Sequence, residues 1–160
     1  MILTLPLALC AVEPVRVELF LATECPISNR YVPELNRIAN LYQPRGIAFE
    51  AFFPELDLDR KRLDRWARAY SVAFPVQLDN GAAIAAKAGA TVTPQVVVFH
   101  KGKLVYRGRI DDRYVGWGKA RPSPTRRDLV EVLDQLLAGQ ALAPRFTKSW
   151  GCVIEAGSKR

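Results

Sequence analysis

Val15-Arg-Val-Glu-Leu-Phe-Leu-Ala-Thr-Glu-Cys-Pro-Ile-Ser28 is the stretch that decides the fold of this chain. It alternates and then runs apolar to Ala22, as a buried strand does. Pro26 suits the first position of a helix, where no amide donor is needed. Tyr31, Leu35, Ile38 and Leu41 then recur at helical spacing, which predicts a helix from Pro26 to about Tyr42, kinked at Pro33. Cys25 therefore stands where a buried strand hands over to a helix N-terminus. The free amides and partial positive charge of that terminus favour a thiolate. A thiolate is the nucleophile for disulfide exchange or for attack on peroxide. Ser28 is one turn on, with its hydroxyl within reach of the sulfur as a donor. The plain alternative for a lone cysteine is a small buried hydrophobe. The strand–Cys–Pro–helix setting favours the reactive thiol.

Outward from this stretch the elements alternate. Ile47 to Phe53 reads as a second strand, and Asp59 to Tyr70 as a helix with Leu63, Trp66 and Tyr70 on one face. Asp79-Asn-Gly81 turns into an Ala-rich helix, Ala82 to Ala88. Gln95 to His100 and Lys103 to Gly108 form a hairpin about Lys101-Gly102. Asp111 to Pro124 is a Gly/Pro/Arg-rich loop, and Pro124-Thr125 opens a last helix reaching about Leu137. The order predicts an α/β layered domain, with parallel strands finished by an antiparallel pair. Residues 13–142 form this domain. Residues 143–160 are a tail without periodicity that carries Cys152.

Composition narrows the function. The 160 residues make one domain, and 49% hydrophobic content is enough for a core. No apolar run reaches the roughly 18 residues of a membrane span. Three cysteines are too few for a disulfide-stapled scaffold, and the single histidine, His100, argues against a histidine zinc site or a serine–histidine triad. Asp111-Asp112 lacks a third hard ligand nearby, so no metal is expected. Nothing resembles a phosphate loop, and no cofactor is implied. The net charge of +7 permits an anionic partner. Its scatter among acids argues against a nucleic-acid face. Residues 1–12, MILTLPLALCAV, read as a signal remnant or a frayed apolar terminus. They leave a membrane tether open, and Cys10 within them carries little expectation of a role.

Two further features carry alternatives. Cys152 could attack an oxidised Cys25 and resolve it, or be a free tail cysteine without a partner. Arg109, with Arg107 and Arg113, could hold the thiolate or an anionic substrate. The alternative, which mixed charge favours, is that these arginines pair with Asp111 and Asp112 and order the following loop.

Phe20-Leu-Ala-Thr-Glu-Cys-Pro26 resembles the active-site turn of TlpA-type thioredoxin-like proteins, and Val92-Thr93-Pro94 resembles the cis-proline segment of that superfamily. Gly108-Arg-Ile-Asp-Asp112, the Pro-x-x-Thr-x-x-Asp-Leu run from Pro122 to Leu129, and Gly151-Cys-Val-Ile154 are similar to the peroxiredoxin-like (AhpC/TSA) branch of the redoxins. The resemblance implies a thioredoxin-like fold, with a central mixed β-sheet flanked by helices. It implies a thiol–disulfide oxidoreductase in which Cys25 attacks, Ser28 fills the usual second-cysteine position, and Thr23, Pro26, Thr93, Pro94 and Arg109 surround the substrate. The Thr93–Pro94 bond is expected to be cis and to face Cys25. Partners would be protein or small-molecule thiols and disulfides. The alternatives are a thiol peroxidase resolved by Cys152, and a non-catalytic binding module. The chain departs from the family at the buried-acid position, occupied by Leu19, and at the peroxide-activating positions, occupied by Ala22 and Glu18. The TlpA-like turn and the apolar start imply an extracytoplasmic place, with the cytoplasm as alternative.

Overall fold

The computed structural model describes residues 14–155, so residues 1–12 and Cys10 lie outside the described part. The first strand, β1 (Arg16–Phe20), is followed by α1 (Pro26–Tyr42), a 3-10 turn at Gln43–Arg45 and β2 (Ala48–Phe53). Then come α2 (Arg60–Ala69), β3 (Val76–Leu78), α3 (Ala83–Ala88), β4 (Val92–Thr93), β5 (Gln95–His100) and β6 (Lys103–Gly108). The chain ends with β7 (Tyr114–Gly116), β8 (Lys119–Ala120), α4 (Asp128–Leu137), β9 (Arg145–Phe146) and β10 (Cys152–Val153).

A six-stranded sheet runs β3-β2-β1-β5-β6-β9. β1 pairs parallel with β2 and antiparallel with β5, so the sheet is mixed, as expected. Strand alternation divides the core between its two faces. Val17 and Leu19 of β1 join Leu35 of α1, Leu63 of α2 and Leu133 of α4 on one face, while Phe20 joins Phe52, Val97 and the alanines of α3 on the other. Lys101 and Gly102 both take positive φ, 51° and 71°, as the two-residue hairpin turn requires.

α1 runs from Pro26 to Tyr42 as expected, with Pro33 inside it on the exposed side. Several other expectations are corrected. Leu41 is 40% exposed, and Tyr42 closes the apolar stripe instead. The last helix begins at Asp128, not at Pro124. The buried Asp112 carboxylate accepts from the Thr125 hydroxyl and from the amides of Thr125 and Arg126, holding that segment out of helical register. Val76–Leu78 is a strand of the sheet, which its three residues were too few to signal. The tail is not an appendage. β9 extends the sheet beside β6, and β10 pairs antiparallel with β4.

Candidate active site

Beyond the ends of β1 and β2, four segments meet around a cleft of about 540 Å³: the β1–α1 turn, the Pro54–Leu58 loop, β4 and β10. Loop residues at strand ends, held by a rigid sheet, are where α/β domains place their chemistry.

The β1–α1 turn is fixed from several sides. Cys25 is the N-cap of α1, and its amide donates to the Ala22 carbonyl at 3.2 Å. The Glu55 carboxylate accepts from the Thr23 amide at 2.9 Å, the Thr23 hydroxyl at 2.7 Å and the Glu24 amide at 3.3 Å. Asn29 donates to the Thr23 carbonyl at 2.9 Å and accepts from the Trp66 indole at 2.9 Å. On the opposite wall the Asn80 amide donates to the carbonyls of Glu55, Leu56 and Leu58, shaping the loop that carries Glu55. At the mouth, Arg62 lies 3.2 Å from the Glu24 carboxylate.

Cys25 is buried, 2% exposed. Its thiol donates to the Thr93 carbonyl at 3.2 Å, and the Thr93–Pro94 peptide is cis. The Cys152 thiol donates to the Cys25 Sγ at 2.9 Å. Burial pushes the Cys25 thiol up. Hydrogen bonds from the Cys152 thiol, from the Ser28 amide and hydroxyl, and from the Cys152 amide outweigh it and hold Cys25 below the ordinary thiol range. Cys152 moves the other way, pushed up to about 11 by burial and by its hydrogen bond to Cys25. The opposed shifts favour ionisation of Cys25 over that of Cys152.

The sequence-selected residues divide clearly. Cys25, Thr93 and Cys152 line the cleft together. Ser28 is fully buried beside them, where its Oγ also accepts the Ala22 amide at 3.3 Å. Pro94 is buried behind Thr93. Thr23 is committed to Glu55 and Pro26 is an exposed helix start, so neither lines the cleft. Arg109 is not there either. Its guanidinium holds the buried Asp128 carboxylate at 2.7 Å, which ties β6 to α4. Residue patterns missed Glu55, Asn29 and Asn80, because each acts through a contact distant along the chain. Among the described residues no cluster of His, Cys, Asp or Glu could hold a metal, and no helix is long and apolar enough to cross a membrane.

No family model matches the chain, and no curated protein matches it. Solved structures do. An uncharacterized conserved protein from Geobacillus kaustophilus superposes with a TM-score of 0.80 at 26% identity, covering 92% of this chain and 80% of that one. A thioredoxin-like protein solved in its oxidized form gives 0.61 at 20% identity, covering 81% of each chain. A secreted Mycobacterium tuberculosis disulfide oxidoreductase gives 0.53 at 15% identity, covering 79% and 82%. The chain has the thioredoxin-like fold.

Proposed function

We propose that this chain is a thiol–disulfide oxidoreductase whose working pair is Cys25 and Cys152. The observation that carries this reading is the 2.9 Å contact between the two sulfurs, with Cys25 shifted toward thiolate and Cys152 away from it. The Cys25 thiolate attacks a substrate disulfide, forming a mixed disulfide and expelling one substrate thiolate, which takes a proton. Cys152 then loses its proton and attacks the Cys25 sulfur. The Cys25–Cys152 disulfide forms, and the second substrate thiol leaves. The substrate disulfide is reduced by two electrons and the protein pair is oxidised. A dithiol reductant reverses the protein's change. Closing the pair requires the sulfurs to approach by about 1 Å, toward a bond length of roughly 2.05 Å. Ser28 supports the thiolate, and Thr93 with Pro94 forms the wall against which the reacting sulfur is held.

The same contact favours a second reading. If Cys25 reduces a peroxide it becomes a sulfenic acid, releasing the alcohol or water. Cys152 condenses with it, forming the disulfide and water. The likeness to a secreted oxidoreductase supports an extracytoplasmic setting.

The test treats the full-length protein and Cys152→Ser with oxidised glutathione or with hydrogen peroxide, and follows Cys25 by mass spectrometry. Exchange chemistry predicts a Cys25–glutathione adduct that persists only in Cys152→Ser. Peroxidase chemistry predicts a sulfenic acid in that variant at low peroxide. An unreactive Cys25 in both arms would leave the binding-module reading.

A further inference from the structure

The charge lining the cleft is opposite in sign to that of the chain. The charged side chains around it are Glu24, Glu55, Asp57 and Glu155 against Arg62 alone, in a protein whose net charge is +7. Arg62 pairs with Glu24 at the mouth, 3.2 Å away, which leaves Glu55, Asp57 and Glu155. Among the described residues no basic side chain pairs with any of these carboxylates.

Glu55 is half-buried, and its donors are the Thr23 amide and hydroxyl and the Glu24 amide. These donors are neutral, so they fix the carboxylate in place without cancelling its charge. Asp57 follows two residues on, exposed, in the loop that Asn80 shapes. Glu155 comes from the other wall, just after β10. That strand is seated tightly: a Cβ on Gly151 would lie 2.1 Å from the Thr93 carbonyl oxygen. Carboxylates therefore border the reactive sulfur's cleft on two sides. A cleft lined by one sign of charge between low-dielectric walls focuses its field and concentrates solutes of the opposite sign. Leu56 and Val153, 47% and 72% exposed, lie in the same lining and offer apolar surface. Lysine and arginine match both features, since they carry a charged head on an aliphatic stem.

Resting on the oxidoreductase reading, we infer that the cleft selects its substrates by charge, taking disulfides whose cysteine is flanked by lysine or arginine. Glu55, Asp57 and Glu155 supply the selection. The Cys25 thiolate attacks one sulfur of such a disulfide. The substrate S–S bond breaks, the Cys25–substrate disulfide forms, and the departing thiolate takes a proton from water. The carboxylates take no part in that exchange. They raise the concentration of cationic substrate over the sulfur, and anionic disulfides react more slowly in the same field.

The experiment uses full-length Cys152→Ser and follows the Cys25 adduct by mass spectrometry. The probes are the disulfide dimers of the capped peptides Lys-Cys-Lys, Ser-Cys-Ser and Glu-Cys-Glu, with cystamine as a small diamine. Each rate is divided by that of the same disulfide with dithiothreitol, which removes intrinsic reactivity. At low salt the lysine peptide should outpace the serine peptide about ten-fold, and the glutamate peptide should lag it by a similar factor. Salt at about 0.5 M should collapse both ratios. Asp57→Asn combined with Glu155→Gln should cut the lysine-to-glutamate ratio about ten-fold. Lys103→Glu, at the end of the sheet away from the cleft, alters the net charge and should leave that ratio where it is. Cystamine should fall short of the lysine peptide, because its stem is too short to cover Leu56 and Val153. Parity would overturn the lysine or arginine assignment. Equal normalised rates for the peptides, or a ratio that Lys103→Glu moves as far as the cleft variant does, overturn selection by the cleft and leave the oxidoreductase reading standing. A Cys25 that reacts with no probe, the serine peptide included, overturns both.

Discussion

Replacing Ser28 by alanine tests whether hydrogen bonding, rather than the helix terminus alone, makes Cys25 a thiolate. Ser28 is fully buried, and its hydroxyl is one of the donors that oppose the burial of the sulfur. A hydrogen bond to a charged group is worth about 1.5–3 kcal/mol. At roughly 1.4 kcal/mol per pKa unit, its loss should raise the Cys25 midpoint by about 1–2 units. Below the midpoint, alkylation tracks the thiolate fraction, so the rate at fixed pH should fall about ten- to a hundred-fold. The substitution also removes the acceptor of the Ala22 amide. A buried donor left unsatisfied costs about 1–3 kcal/mol, so Tm should fall by several degrees while the fold persists. The assay is iodoacetamide labelling over a pH series, with the Cys25 peptide quantified by mass spectrometry so that the other cysteines stay native. A midpoint that is unchanged or lower, in a variant with an intact melt, would show that the Ser28 hydroxyl does not support the Cys25 thiolate.

Arg109→Ala should leave the buried Asp128 carboxylate with only the longer 4.0 Å contact to Arg126 and cost about 3 kcal/mol, a Tm loss of about 6–12 °C, with the Cys25 labelling midpoint unmoved. Lost Cys25 reactivity at unchanged Tm would instead return Arg109 to the substrate. Asp112 is pushed up by burial, yet hydrogen bonds from the Thr125 hydroxyl and the amides of Arg126 and Thr125, with Arg121 nearby, hold it down at about 2. Its carboxyl is lowered on folding. The stability it adds is therefore complete above the ordinary value of about 4 and is lost as pH falls through about 2. Acid titration of urea midpoints should show that loss in the parent and a flatter curve in Asp112→Asn, and parallel curves would contradict it.

The reading of the sequence succeeded where local patterns carry the physics. The Val15–Ala22 strand, the cysteine before Pro26 and the helix behind it follow from alternation, proline chemistry and helical spacing. The Lys101-Gly102 hairpin follows from its turn residues. What failed is set by distant contacts. Nothing local in Pro124-Thr125 reveals that Asp112 has captured its amides. β9 and β10 have two residues each, too short for any periodicity. The 2.9 Å sulfur contact joins positions 127 residues apart. Cys152 could be put forward for its chemistry, and only the pairing of β10 with β4 brings it to Cys25. The glycine before it was visible in the Gly-Cys-x-Ile run, but its closeness to Thr93 was not.

The proposed oxidoreductase makes Cys25 and Cys152 one redox pair. The direct measurement equilibrates full-length protein in a glutathione redox buffer, quenches it with acid and alkylation, and maps disulfide-linked peptides without reduction. The account predicts a peptide joining Cys25 to Cys152 as the main oxidised species, forming and vanishing in a two-electron transition. Cys25 found only as a glutathione adduct, or joined to Cys10 while Cys152 stays free, would contradict it.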